Sequence, residues 1–185
     1  MTTSAGRPGF LRDRTVLLLG LVVAGCFPTF DWREARPERS GAALLFPCRP
    51  DRHERVVPLA GAAVRMQLHS CKAGGLTFSL ALADVAEPLR VAPTLLAWRQ
   101  LTVENIVGKA ALLGEPKVAG ATPNPEARTV RIDGRLPDGR PVVVHAAFFV
   151  KGLRVYQASV VGQTEPPPRE SLETFFTAIR LSDSP

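Results

Sequence analysis

No apolar run in this chain approaches the roughly 20 residues that a helix needs to cross a bilayer. The greasiest stretch, TVLLLGLVVAG at 15–25, spans about 16 Å as a helix against a hydrocarbon core of about 30 Å. A stable membrane span is not expected. Cysteine is scarce, with three in 185 residues, and none is arranged as CxxC. His53 and His69 do not stand at a ligand spacing either, so no zinc site is expected. There is no G-x-S-x-G elbow around Ser70 and no phosphate-loop pattern around Gly108 or Gly114. Aromatic residues make up only 6% and do not interleave with a dense basic patch, so nucleic acid is not an expected partner. No internal repeat is present.

What is there is an ordinary globular composition, 45% hydrophobic and 22% charged, so most of the chain should fold. The length suggests one domain with appendages. Of the formal net charge of +6, residues 1–25 contribute +2, through Arg7, Arg12 and Arg14 against Asp13. The remaining +4 is modest. Arg33, Arg36, Arg39, Arg49, Arg52 and Arg55 cluster soon afterwards. They either form a solvated charged stretch or lie against anionic headgroups.

The amino terminus joins a polar, arginine-bearing segment (1–14) to the 11-residue apolar core and then to small residues. That order describes a secretory signal peptide. A buried core helix does not suit it, because the segment is apolar all round and Phe27-Pro28 follows at once. Val23-Ala24-Gly25-Cys26 resembles the lipobox of bacterial lipoproteins. The resemblance covers residues 1–26. It implies removal of 1–25, diacylglyceryl and palmitate-type acyl groups on Cys26, and lasting attachment to a membrane through them. Residue 27 is Phe rather than Asp, which resembles lipoproteins sent to the outer membrane. The expected location is therefore the cell envelope, facing the periplasm. Arg12-Asp13-Arg14 is not a twin-arginine pair. Residues 26–40 read as lipid anchor and flexible tether, with Phe27, Phe30 and Trp32 resting at the membrane interface or Trp32 docking on the body.

With Cys26 carrying lipid, Cys48 and Cys71 are left as an even pair in an oxidising compartment. A disulfide between them is expected, closing a loop for roughly 3 kcal/mol. The alternative is two buried thiols.

Residues 41–182 read as the folded domain. ALLFPC is a short strand; VRMQLHS and LTFSLALAD alternate with period two around a Gly74-Gly75 turn. A helix is expected at about 92–107, with Pro93 in its first turn and Gly108 past its end. RTVRIDGRL and PVVVHAAFFV flank Asp138-Gly139, a strong hairpin signal. The second of these strands is so apolar that it should be central and covered on both faces. LRVYQASVVG follows Lys151-Gly152. A last helix at about 168–180 aligns Leu172, Phe175, Phe176 and Ile179 on one stripe. The expected class is α+β: an antiparallel sheet with one inserted and one C-terminal helix. LLFPCRP, VPLAGAAVRM, the meander ending GLRVYQASVVG, and ETFFTAIRL together resemble the PsbP-like α/β/α sandwich. That resemblance implies a binding or assembly module.

Candidate chemistry is sparse. Asp51, His53 and Glu54 in DRHER suit a solvated loop better than a metal site. His145 suits a partnered strand histidine, with no Ser or Cys nearby to make a triad. Asp84 and Glu87 show no sign of a facing acid–base pair. Tyr156-Gln157 reads as packing and hydrogen bonding. No catalytic residue, metal or cofactor is expected. The expected function is a lipid-anchored envelope protein with a periplasmic binding or assembly domain, its partner another envelope protein. The alternatives are a carrier of an apolar ligand in a sheet–helix cleft, or an enzyme whose site the pattern does not reveal.

Overall fold

A computed structural model describes residues 1–3, 29–163 and 167–182 of the chain. The signal segment and Cys26 lie outside the described residues. The body is an α+β fold built on one antiparallel sheet of seven strands in the order β3-β4-β5-β9-β8-β7-β6. Its strands are β3 (Asp51–Leu59), β4 (Ala62–Ala73), β5 (Leu76–Asp84), β6 (Lys109–Gly114), β7 (Arg128–Arg135), β8 (Pro141–Lys151) and β9 (Arg154–Gly162). A small sheet of β1 (Arg33–Ala35), β2 (Ala42–Phe46) and β10 (Arg180–Leu181) packs separately. The helices are α1 (Pro88–Glu104) and α2 (Arg169–Thr177).

Period-two alternation sorts the large sheet into two faces. On β5, Ala81 and Ala83 join Val91, Leu95 and Trp98 of α1 in one core. Phe78, Leu80 and Leu82 point the other way and join Leu44, Phe46, Phe175 and Ile179 in a second. The residues facing α1 on β5 are small, and the helix sits down on them. β8 is the strand covered on both sides, with Ala146 to Val150 all buried, as its unbroken apolar run predicts.

The inserted helix begins four residues earlier than expected, because Pro88, not Pro93, takes the first turn. Pro93 is accommodated one turn further in, at the loss of one backbone hydrogen bond. At its end the chain turns through Val107, whose N–H bonds Glu104 O at 3.0 Å while Gly108 N–H bonds Val103 O at 2.9 Å. This paired closure normally places glycine in the left-handed residue. Here that residue is Val107, with φ +46. Gly108 is glycine for a different reason: a Cβ there would lie 2.5 Å from Ile132 Cγ2.

Of the predicted apolar stripe on the last helix, Phe175 is fully buried between Phe46 (5.7 Å) and Phe78 (5.4 Å). Ile179 is also buried but lies beyond the helix, which stops at Thr177 so that 180–181 can pair with β2. DRHER is not a loop. It opens the edge strand β3, where exposure on both faces is paid in charge rather than in turn residues. β6 escapes the pattern for the same reason: all six of its residues are exposed. The stretch expected as a tether is held on the body from Thr29 onward. Asp31 N–H bonds Pro47 O at 3.1 Å, and the rings of Phe30 and Trp32 meet Phe78 edge-on at 6.0 and 5.6 Å. Trp32 therefore docks on the domain.

Candidate functional site

Helix α1 crosses the large sheet obliquely. Near its start, Arg90 reaches Ala60 O at the β3–β4 turn at 3.2 Å. Past its end, Ile106 O accepts Arg135 N–H at 2.7 Å beside the β7–β8 hairpin. Glycine at 134 permits that approach, since a Cβ there would fall 2.5 Å from the same oxygen. The oblique path leaves part of the sheet beneath one flank of the helix uncovered, and a cleft of about 310 Å³ results. That volume is at the small end of ligand sites.

Its walls are mostly apolar. Val57, Met66 and Leu68 line it from β3 and β4, Val144 and Val161 from β8 and β9, and Trp98 and Leu101 from α1. Reaching from β3 to β8, it crosses four inter-strand spacings, or about 19 Å. Polar groups are few and local. Ser79 and Ser159 stand opposite each other in the β5–β9 register, both buried, with their hydroxyls 2.7 Å apart. One proton serves that bond, and the other hydroxyl proton is free to donate elsewhere. Thr102 donates to Trp98 O at 2.9 Å and lies 3.4 Å from Gln157 Oε1. At the β3 margin stands Arg55, exposed and without an ion pair among the described residues. A site of this kind can hold an apolar body and orient it by one or two polar atoms. It presents no nucleophile with a base.

A broader depression of about 450 Å³ lies under the 115–127 loop. It is bounded by loop residues with one core side chain, Phe149, at its base.

The sequence-level candidates are scattered over the fold. Cys48 and Cys71 are joined in a disulfide, with Cα atoms 6.0 Å apart. Asp51 and His53 point to one side of β3 and Glu54 to the other, where it pairs with Arg52 and, at 3.5 Å, with Arg65. Among the described residues no three His, Cys, Asp or Glu side chains gather closely enough to hold a metal ion. Asp84 takes Arg154 Nε at 2.5 Å, across the β5–β9 pair. Tyr156 donates to Ser40 O at 2.7 Å and stacks on Phe149 at 5.2 Å. Gln157 is the neighbour that reaches the cleft.

His69 and His145 both face away from α1, and each has a buried Nε2 without a hydrogen-bond partner among the described residues. The partner expected for His145 is not found on its Nε2 among the described residues. Burial lowers both imidazole pKa values below the ordinary 6.5. For His69, Arg52 adds to the lowering, while Glu38 and Glu54 oppose it. For His145, Arg131 adds and Asp133 opposes.

Of the six arginines between 33 and 55, three are ion-paired, and Arg39, Arg49 and Arg55 have no ion pair among the described residues. Arg33 pairs with Asp31, Arg36 with Glu34, and Arg52 with Glu38 and Glu54. Among the described residues no helix is long and apolar enough to cross a membrane. No protein-family model matches the chain, and no curated protein matches it either.

Proposed function

We propose that the chain is a lipid-anchored cell-envelope protein, held through acyl groups on Cys26, whose periplasmic body binds an apolar ligand in the cleft beside α1. The observation that carries the binding reading is the cleft itself: an apolar trough across five strands, with few polar groups, the Ser79–Ser159 pair, Thr102, Gln157 and Asn105 within it and Arg55 at its margin. Apolar walls with a small number of placed polar atoms are the ordinary makeup of a ligand site. The absence of a nucleophile–base pair in the cleft favours carriage over catalysis. The Cys48–Cys71 bond fits an oxidising compartment. The placement of α1 on one face and α2 with the small sheet on the other supports the PsbP-like α/β/α resemblance.

A second reading, an assembly module for another envelope protein, draws on β6. Leu112 and Leu113 are 66% and 55% exposed on that edge strand, and an open edge invites strand addition.

The test is uptake of a fluorescent fatty acid by the purified protein. Ala81→Phe places a ring in the trough at an overpacking cost of roughly 1–3 kcal/mol. The native protein should bind the probe, and the filled variant, still folded by circular dichroism, should not. Equal binding by both, or none by the native protein, overturns the cleft reading.

A further inference from the structure

The register of the large sheet defines one of its ends. Ala73, Leu76, Gly162, Val143, Asp133 and Lys109 form a single row of paired residues across six strands. Four features meet at this end. The first is the point where the described chain begins its contact with the body. A Cβ on Gly74 would lie 2.7 Å from Phe30 Cζ and 3.0 Å from Thr29 Cγ2, so Thr29 sits at the β4–β5 hairpin tip. In the sequence Cys26 precedes Thr29 by three residues.

The second is charge. Arg49, Lys72, Lys109, Arg131, Arg135 and Arg140 stand at or just beside the row, against Asp51, Asp133 and Asp138. With Glu104 in the last turn of α1 beside Val107 as a fourth acid, that is an excess of two cations over acids. The acids at 133 and 138 are taken up by Arg131 and Arg140. Arg49, Lys72, Lys109 and Arg135 have no ion pair among the described residues.

The third is Val107, in the turn after α1. It is 87% exposed with φ +46, a conformation that a β-branched residue adopts only under constraint. A strained, exposed apolar side chain is an observation that points to a contact outside the fold. The fourth is the cleft. Val161, Val142, Leu136, Ile106 and Asn105 among its lining residues lie within a residue or two of the row or on the hairpin and turn beyond it.

We infer that this end of the sheet docks on the anionic lipid surface of the membrane that holds the anchor. Val107 enters the headgroup layer, the four unpaired cations meet lipid phosphates, and the cleft opens toward the bilayer. The ligand class follows from that geometry: a lipid-derived molecule that passes between bilayer and cleft without crossing water. The inference rests on the anchor reading, and the test separates the two.

The protein is purified from its host's membranes and placed in vesicles of phosphatidylethanolamine and phosphatidylglycerol. Hydrogen exchange is then followed at the hairpin tips 74–75 and 137–139, with the turns 60–61 and 152–153 at the opposite end as controls. The comparison protein is Val107→Asp/Arg49→Glu, which alters neither set of amides directly. The native protein should exchange roughly tenfold more slowly than the variant at 74–75 and 137–139, and alike at 60–61 and 152–153. The mass of Cys26 is read on the same samples. Equal exchange at 74–75 and 137–139 in both proteins, with Cys26 acylated, overturns the docking inference and leaves the anchor standing. An unacylated Cys26 overturns the anchor and the inference with it.

Discussion

At the scale of single residues, the polar interruptions in apolar strands carry the most information. Ser79 and Ser159 break the α1-facing stripes of β5 and β9, and the fold sets them opposite each other with hydroxyls 2.7 Å apart. Within LTFSLALAD and VYQASVV each serine looks like a minor lapse in hydrophobicity. Only the pairing register, which no local pattern encodes, joins them into one feature of the cleft. His69 and His145 are a second case. Both are held neutral by burial, so the unfolded chain takes up protons at a higher pH than the folded one. The sign follows from linkage: while the unfolded state binds more protons, stability rises with pH. The stability from these groups is complete above about 6.5, the ordinary value, and is lost as pH falls below it. Urea unfolding at pH 7.5 and pH 5 should show the body weaker at pH 5. In His69→Gln/His145→Gln that loss should shrink. An unchanged pH slope in the double variant would show that other groups set it.

At the scale of elements, the strands with the clearest alternation or the longest apolar runs were legible, and the charged ones were not. β5 matches LTFSLALAD residue for residue, because Leu76, Phe78, Leu80 and Leu82 alternate with smaller residues and mark the strand by period two. β3 and β6 lie at the two edges of the sheet, where one side of each strand has no neighbour to bury. Charge at DRHER and exposure along KAALLG therefore carry no period. The start of α1 was misplaced because two prolines, Pro88 and Pro93, both suit a first turn, and only the packing of Val91 decides between them. The turn that ends α1 gives a test of its own. Val107 bears a conformational cost that glycine would not. Val107→Gly should therefore stabilise the body by about 1 kcal/mol in chemical denaturation. It should also weaken protection of the hairpin tips in vesicles, since the apolar side chain is gone. A destabilised Val107→Gly would mean that the side chain contributes to the fold itself.

At the scale of the whole molecule, one sheet separates two different tasks. The face under α2 and the small sheet is closed by rings: Phe46, Phe78, Phe175, Phe176 and Trp32 form a chain of edge-on contacts between 5.3 and 5.7 Å. Such pairs add about 0.5–1.5 kcal/mol each beyond burial, and the Cys48–Cys71 bond lies in the same core. The face under α1 is closed only in part, and the cleft is the remainder. The proposed orientation toward a bilayer depends on one proposed event at the amino terminus, the conversion of Cys26 into an acylated first residue. The most direct measurement is the intact mass of the protein from its host, with fragmentation of the terminal peptide. The account predicts a chain that begins at Cys26 and carries fatty acyl groups on that residue; a chain that begins at Met1, or a terminal cysteine without fatty acid, would contradict it.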